Sequence, residues 1–92
     1  MQVKVVNGRV ELRHNNGILI RVVGYSNAIH AELHPVKKIV LIITENGKLE
    51  LRCTEGNIIK EIMPSGVKFA KFNHEKIEIQ SFKGDTIEFQ LN

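Results

Sequence analysis

The segment Asn7-Gly8-Arg9-Val10-Glu11-Leu12-Arg13 returns about 39 residues later as Asn46-Gly47-Lys48-Leu49-Glu50-Leu51-Arg52, a spacing typical of repeat architectures. Further pairs follow at the same distance: Gly17/Gly56, Ile20/Ile59, Arg21/Lys60, Val23/Ile62, Ser26/Ser65 and Ala31/Ala70. A shorter third copy aligns Lys76-Ile77, Ile79 and Ile87-Glu88-Phe89 with Lys38-Ile39, Leu41 and Leu49-Glu50-Leu51. The repeat divides the chain into units of about 1–27, 28–66 and 67–92, within one domain.

Nearly every segment alternates apolar and polar residues or is rich in β-branched residues, which is typical of strands. Asn-Gly at 7–8 and 46–47 is a strong hairpin signal, since a tight hairpin turn requires residues that tolerate positive φ. No window shows the period of an amphipathic helix. The sequence predicts an all-β meander with strands at residues 2–6, 9–14, 18–23, 28–34, 39–44, 48–54, 58–63, 67–72, 76–82 and 86–91.

Four successive antiparallel strands joined by tight hairpins resemble one blade of a β-propeller, in the strand order of a WD40-type repeat. The WD40 Gly-His and Trp-Asp dipeptides are missing, and Leu12-Arg13 and Leu51-Arg52 end the third strand of the unit. The resemblance implies three outer strands, one full blade and three inner strands. The fold that the resemblance implies is therefore a partial or half propeller of about three propeller-like blades. Two chains could complete a ring of six blades, three sheets could stack openly, or the repeat could build a sandwich.

The apolar pattern bears on that choice. Residues 39–43 are apolar on both faces, which predicts a strand lying between two neighbouring sheets. The corresponding end strands are apolar on one face only, which favours an open stack. Against this, an apolar cluster in the last unit favours self-association as a homodimer; its members are Phe82, Ile87, Phe89 and Leu91. The strand at 86–91 is also expected to be an uncovered edge, a template for a strand from another chain.

One constellation is a candidate for chemistry. On a strand, His30, Glu32 and His34 project from the same face, and two imidazoles with a carboxylate can hold a divalent metal. The second copy carries Phe69, Lys71 and Asn73 at these places, so the repeat does not maintain the set. We therefore treat it as a candidate binding surface and only a weak metal candidate. Tyr25, on the loop at 24–27, is a second candidate for a binding contact.

Composition excludes several functions. The net charge of +3 is carried by scattered Lys and Arg, and aromatic residues make up 5% with no Trp, so no nucleic-acid partner is expected. Cys53 is the only cysteine, which rules out an internal disulfide and favours a reducing, cytoplasmic location. The start of the chain does not resemble a signal peptide, and the longest apolar run, 39–43, is too short to cross a membrane.

No catalytic motif stands out. The chain has no Gly-rich phosphate loop, and the serines at 26, 65 and 81 lie outside any nucleophile elbow. Glu11, Glu50 and Glu88 lie beside Arg or Lys, which indicates cross-strand charge pairs. We expect no cofactor and no enzymatic activity. The leading hypothesis is a protein-interaction or scaffold module whose partner is a second copy or another protein. The alternative is a binder of a small ligand, a carbohydrate or a metal.

Overall fold

The computed structural model describes residues 1–25 and 27–91, so Ser26 of the repeat lies outside the described residues. Ten strands are present: β1 Gln2–Val6, β2 Arg9–Arg13, β3 Leu19–Gly24, β4 Ala28–Leu33, β5 Ile39–Thr44, β6 Leu49–Cys53, β7 Ile58–Met63, β8 Val67–Asn73, β9 Lys76–Ser81 and β10 Thr86–Gln90. Each strand predicted from the sequence is confirmed, with ends that differ by at most one residue. Over the described ranges there is no helix, and hence none that could cross a membrane.

The strands form three antiparallel sheets, which confirms the predicted fold class of blade-like meander sheets. The first sheet has the order β1-β2-β3, the middle sheet β4-β5-β6-β7 and the third sheet β8-β9-β10. By the repeat, the first sheet corresponds to β5–β7 and the third sheet to β4–β6. Within the described residues the first sheet therefore has no counterpart of β4, and the third sheet has no counterpart of β7.

Two apolar cores hold the sheets together. Val40 and Ile42 of β5 belong to the core shared with the first sheet, and Leu41 and Ile43 belong to the core shared with the third sheet. All four are at most 2% exposed. Alternate side chains of a strand point to opposite faces, so the run of apolar residues supplies both cores, as the sequence predicted. Burying each such side chain stabilises the fold by about 1.5–3 kcal/mol.

Turns join one sheet to the next in the same way at both junctions. The Gly8 carbonyl accepts a hydrogen bond of 3.0 Å from the Ala28 N–H, at the start of the middle sheet. The Gly47 carbonyl accepts one of 3.0 Å from the Val67 N–H, at the start of the third sheet. Each Asn-Gly turn thus positions the inner strand of the following sheet.

In the third copy of the repeat, the structure matches residues one position away from those that the sequence alignment matched. Ala31 is paired with Ile42 in the middle sheet, and its repeat equivalent Ala70 is paired with Ile79. Ile79 is therefore the equivalent of Ile42, and the alignment with Leu41 was wrong. The cause is the β8–β9 turn, which is shorter than the β4–β5 connection. A shift of one residue exchanges the two faces of a strand, so β10 presents different side chains from those the alignment implied.

Candidate functional site

His34 of the sequence-predicted set is buried between the middle and third sheets. Its side chain is 5% exposed, and its Nδ1 accepts hydrogen bonds from the Val36 and Lys37 N–H groups, at 3.1 and 3.0 Å. Its Nε2 lies 2.8 Å from the His74 carbonyl, so Nε2 carries the proton and donates. The ring also meets Phe72 edge-on, with centroids 4.9 Å apart. Both nitrogens are therefore occupied, and neither is available to a metal.

His30 and Glu32 also contact the third sheet. A carboxylate oxygen of Glu32 accepts a hydrogen bond of 3.0 Å from the Phe72 N–H, and the His30 ring lies 5.1 Å from the Phe69 ring. The structure thus brings all three predicted residues together on one face, where they join β4 to β8. Within residues 1–25 and 27–91 no group of three or more His, Cys, Asp or Glu is placed to hold a metal ion. The set holds two sheets together.

Tyr25 follows β3 and is 68% exposed. His14 and His74 are also exposed, as expected for turn residues. Cys53, at the end of β6, is half-buried and has a free thiol.

Two buried carboxylates form a motif that the sequence did not reveal. Glu11 is 2% exposed and accepts hydrogen bonds from Arg9 and Arg13, and the guanidinium of Arg13 also donates to the Gly17 carbonyl. Glu50 repeats this with Arg52, at 2.8 Å. Cross-strand pairing was therefore the wrong expectation for these two residues, because their partners lie two positions away on the same strand.

The hydrogen bond from Arg13, which is the largest influence, lowers the pKa of Glu11, and burial opposes it. The carboxylate is thus kept ionised by its neighbours. This is the reverse of what a general acid needs, since such an acid carries a raised pKa. The motif is a structural ion pair. Its presence in both copies explains why the Glu and the Arg two positions after it recur in the repeat.

The residues predicted for self-association lie on strand β10 and beside it, with Phe82 in the turn before the strand and Leu91 directly after it. Phe82 is 67% exposed and Ile87 is 37% exposed. Phe89 and Leu91 instead pack against the core beneath, and the Nζ of Lys60 lies 5.3 Å from the centre of the Phe89 ring. The structure therefore places two of the four at the surface and keeps the other two for the fold.

A groove runs beside this edge. Its volume is about 340 Å³, and it is lined by Met63, Ser65, Gly66, Ser81, Phe82, Lys83, Asp85 and Ile87. It lies between the end of β7, the turn that joins β9 to β10, and the start of β10. We call this place the β10 groove. A larger depression of about 510 Å³ lies at the other side of the molecule, between Gln2, Val3 and residues 31–38.

The outward face of the same edge is charged. Glu88 of β10 and Glu78 of β9 are directly opposite each other. Lys76 lies 2.7 Å from the Glu88 carboxylate, and this hydrogen bond raises the pKa of Lys76. A hydrogen bond from Asn73 is the largest influence that lowers the pKa of Glu78. The edge of the sheet thus combines an apolar inner side with an acidic outer side.

Comparison with known proteins adds no family to this picture. No protein-family model matches the chain, and a search of curated proteins finds no match either. The likeness to WD40-type blades therefore stays a resemblance of the repeat, and the observations that bear on function are the geometry and charge of the β10 edge.

Proposed function

We propose that this chain is a non-enzymatic protein-interaction module that binds an extended segment of another protein along β10. The observation that carries the proposal is the unequal number of strands in the middle and third sheets. In the middle sheet, β6 is covered by β7, whereas β10, the counterpart of β6, has no strand beside it in the described residues. The bound segment takes the place that β7 takes in the middle sheet.

The chemistry of the edge suits such a segment. An edge strand presents backbone N–H and C=O groups that have no partner in their own sheet. Added strands use these groups for affinity, and pockets for alternate side chains provide specificity. Ile87 and Phe82 give the β10 groove its exposed apolar lining. A bound strand could place its inward side chains there and its main chain against β10.

Geometry favours a single flexible strand over the edge of a second copy. Ile62 and Met63 of β7 pack against the same core as Phe89 and Leu91, so β7 lies against the inner side of β10. Antiparallel pairing of two β10 edges would relate the copies by a two-fold axis perpendicular to the sheet. Both middle sheets would then lie on the same side of the joined sheet, which would bring their β7 strands against each other. A segment without a sheet behind it meets no such obstacle.

A displayed library of random peptides, selected on the wild-type chain, tests the proposal. Recovered peptides are expected to shift the backbone amide resonances of β10 and to bind Ile87→Lys at least about tenfold more weakly, a change of about 1.4 kcal/mol. Phe82→Ser, at a more exposed position, is a second edge variant with less risk to folding. Val36→Lys is the matched control, because Val36 is 85% exposed and lies at the other depression.

Two results would overturn the proposal. One is a selection that yields no peptide bound at β10. The other is a set of recovered peptides whose affinity changes with Val36→Lys and not with Ile87→Lys or Phe82→Ser. Circular dichroism of each variant shows whether a loss of binding reflects a loss of fold.

A further inference from the structure

The strand that would cover β10 can be described from the two strands that already hold that position in the other sheets. Glu88 is the structural equivalent of Leu51 and of Leu12, once the one-residue shift of the third copy is applied. The residue opposite Leu51 is Lys60 of β7, and the residue opposite Leu12 is Arg21 of β3. Both β7 and β3, the strands that hold the corresponding place in the other two sheets, therefore have a basic residue at this position.

The third sheet supplies a charge that matches this basic residue. Across its outer face, Lys71, Glu78 and Glu88 follow one another in a single row, so the row reads positive, negative, negative. Like charges directly opposite each other on a sheet are destabilising. Two lysines offset this repulsion in part. The Nζ of Lys76 lies 2.7 Å from the Glu88 carboxylate, and the Nζ of Lys71 lies 3.8 Å from the Glu78 carboxylate. A Lys or Arg on an added strand, opposite Glu88, would end the row in a positive charge, so that each of the two Glu residues has a basic residue on one side.

The neighbouring position calls for an apolar residue. Ile87 stands where the other sheets have Glu50 and Glu11, whose fourth-strand partners are Glu61 and Val22. The buried ion pair has thus been replaced in the third sheet by an aliphatic side chain that lines the β10 groove. A carboxylate opposite Ile87 would lose hydration without gaining a partner, whereas a residue like Val22 would be covered.

We infer that the segment bound at β10 runs antiparallel to it and carries a Lys or Arg opposite Glu88, followed directly by an apolar residue opposite Ile87. This rests on the proposed function and adds the chemistry of the partner. Strand β3 contains the required pair as Arg21-Val22, and β7 does not, because its Lys60 is followed by Glu61. The sequence of β3 is therefore a probe that the chain itself provides.

The test uses a synthetic peptide with the sequence of residues 18–25, blocked at both ends, titrated into the intact wild-type chain. Calorimetry gives its affinity, and backbone amide shifts give its position. The peptide is expected to bind along β10, and a version with Glu in place of its Arg is expected to bind about fivefold more weakly. Glu88→Arg should reverse this preference, whereas Glu45→Arg, at an exposed turn residue, should leave it unchanged. The preference should also shrink with added salt.

The outcomes separate the two levels of the argument. If both peptides bind at β10 with equal affinity, or if Glu88→Arg leaves the preference unchanged, the inferred chemistry is overturned and the edge-binding function stands. If the β3 peptide shifts no β10 resonance while library peptides do, the inferred chemistry is again overturned. If neither the β3 peptide nor any library peptide binds at β10, the proposed function itself fails, and the inference fails with it.

Discussion

Replacing Gly47 by alanine should destabilise the fold far more than the same replacement at Gly84. The two glycines occupy equivalent turns: the Gly47 N–H donates to the Thr44 carbonyl at 2.9 Å, and the Gly84 N–H donates to the Ser81 carbonyl at 3.1 Å. Their φ angles are similar, at +82° and +95°. What distinguishes them is that the Gly47 turn packs against the start of the next sheet.

The magnitude follows from the space around each residue. A Cβ on Gly47 would lie 2.7 Å from the Gly66 nitrogen and 2.9 Å from the Val67 nitrogen, whereas a Cβ on Gly84 meets no described atom within 4 Å beyond its chain neighbours. Both variants suffer the conformational cost of an L-residue at positive φ, about 1–2 kcal/mol. Gly47→Ala must also move backbone, which weakens the hydrogen bond from Val67, about 0.5–1.5 kcal/mol, and disturbs a fully buried valine.

We therefore expect the free energy of unfolding to fall by about 2 kcal/mol more for Gly47→Ala than for Gly84→Ala. The altered entropy of the unfolded chain is the same in both variants, so it cancels in the comparison. Urea denaturation followed by far-ultraviolet circular dichroism measures the free energy of unfolding and its slope for each variant. Gly8→Ala should resemble Gly47→Ala, since its Cβ would lie 2.9 Å from the Asn27 nitrogen. Equal losses at Gly47 and Gly84 would refute the reasoning, because the contact between sheets would then contribute nothing.

Three further predictions concern the ion pairs, the buried histidine and the assembly. His34→Ala leaves two backbone N–H groups and a carbonyl without their partner, so it should cost about 2–4 kcal/mol, whereas the exposed His14→Ala should stay within about 0.5 kcal/mol in the same assay. The pKa of Glu11 is lowered in the fold, so its ion pair stabilises the fold above the ordinary carboxyl pKa, and this stabilisation is lost as the pH falls through the folded value. The difference in the free energy of unfolding between the wild type and Glu11→Gln should therefore shrink under acid conditions. A difference that grew instead would contradict the ion pair. Light scattering should give a single-chain mass of 10.5 kDa at every concentration, and a dimer that Ile87→Lys dissociates would show that the partner is a second copy.

The strands and the two cores were predictable because they depend on local alternation. Residues 39–43 are apolar at every position, and a strand with two apolar faces needs a sheet on each side. The end sheets carry apolar side chains on one face, and within one chain that face packs against the middle sheet. Turn residues marked the ends of the strands closely, because Gly and Asn supply the positive φ that tight turns require.

The register of the third copy was not predictable from similarity alone. Ile87-Glu88-Phe89 resembles Leu49-Glu50-Leu51, yet Glu88 takes the place of Leu51 and not of Glu50. The length of the β8–β9 turn sets that register, and the alignment compared residue types without regard to turn length. Because side chains alternate between faces, this single residue decides whether β10 offers an acidic or an apolar outer face.

The sequence by itself determined the ten strands, their order as a repeat and the apolar faces that had to be covered, since these follow from the preferences of neighbouring residues along one strand. Only the tertiary structure decided what His30, Glu32 and His34 do, because their partners Phe69, Phe72 and His74 lie about 40 residues away and meet them across an interface between sheets. It likewise decided that β10 lies above β7 and has no strand on its other side within residues 1–25 and 27–91. Which strand lies beside or beneath another is a property of packing, and no single strand carries that information.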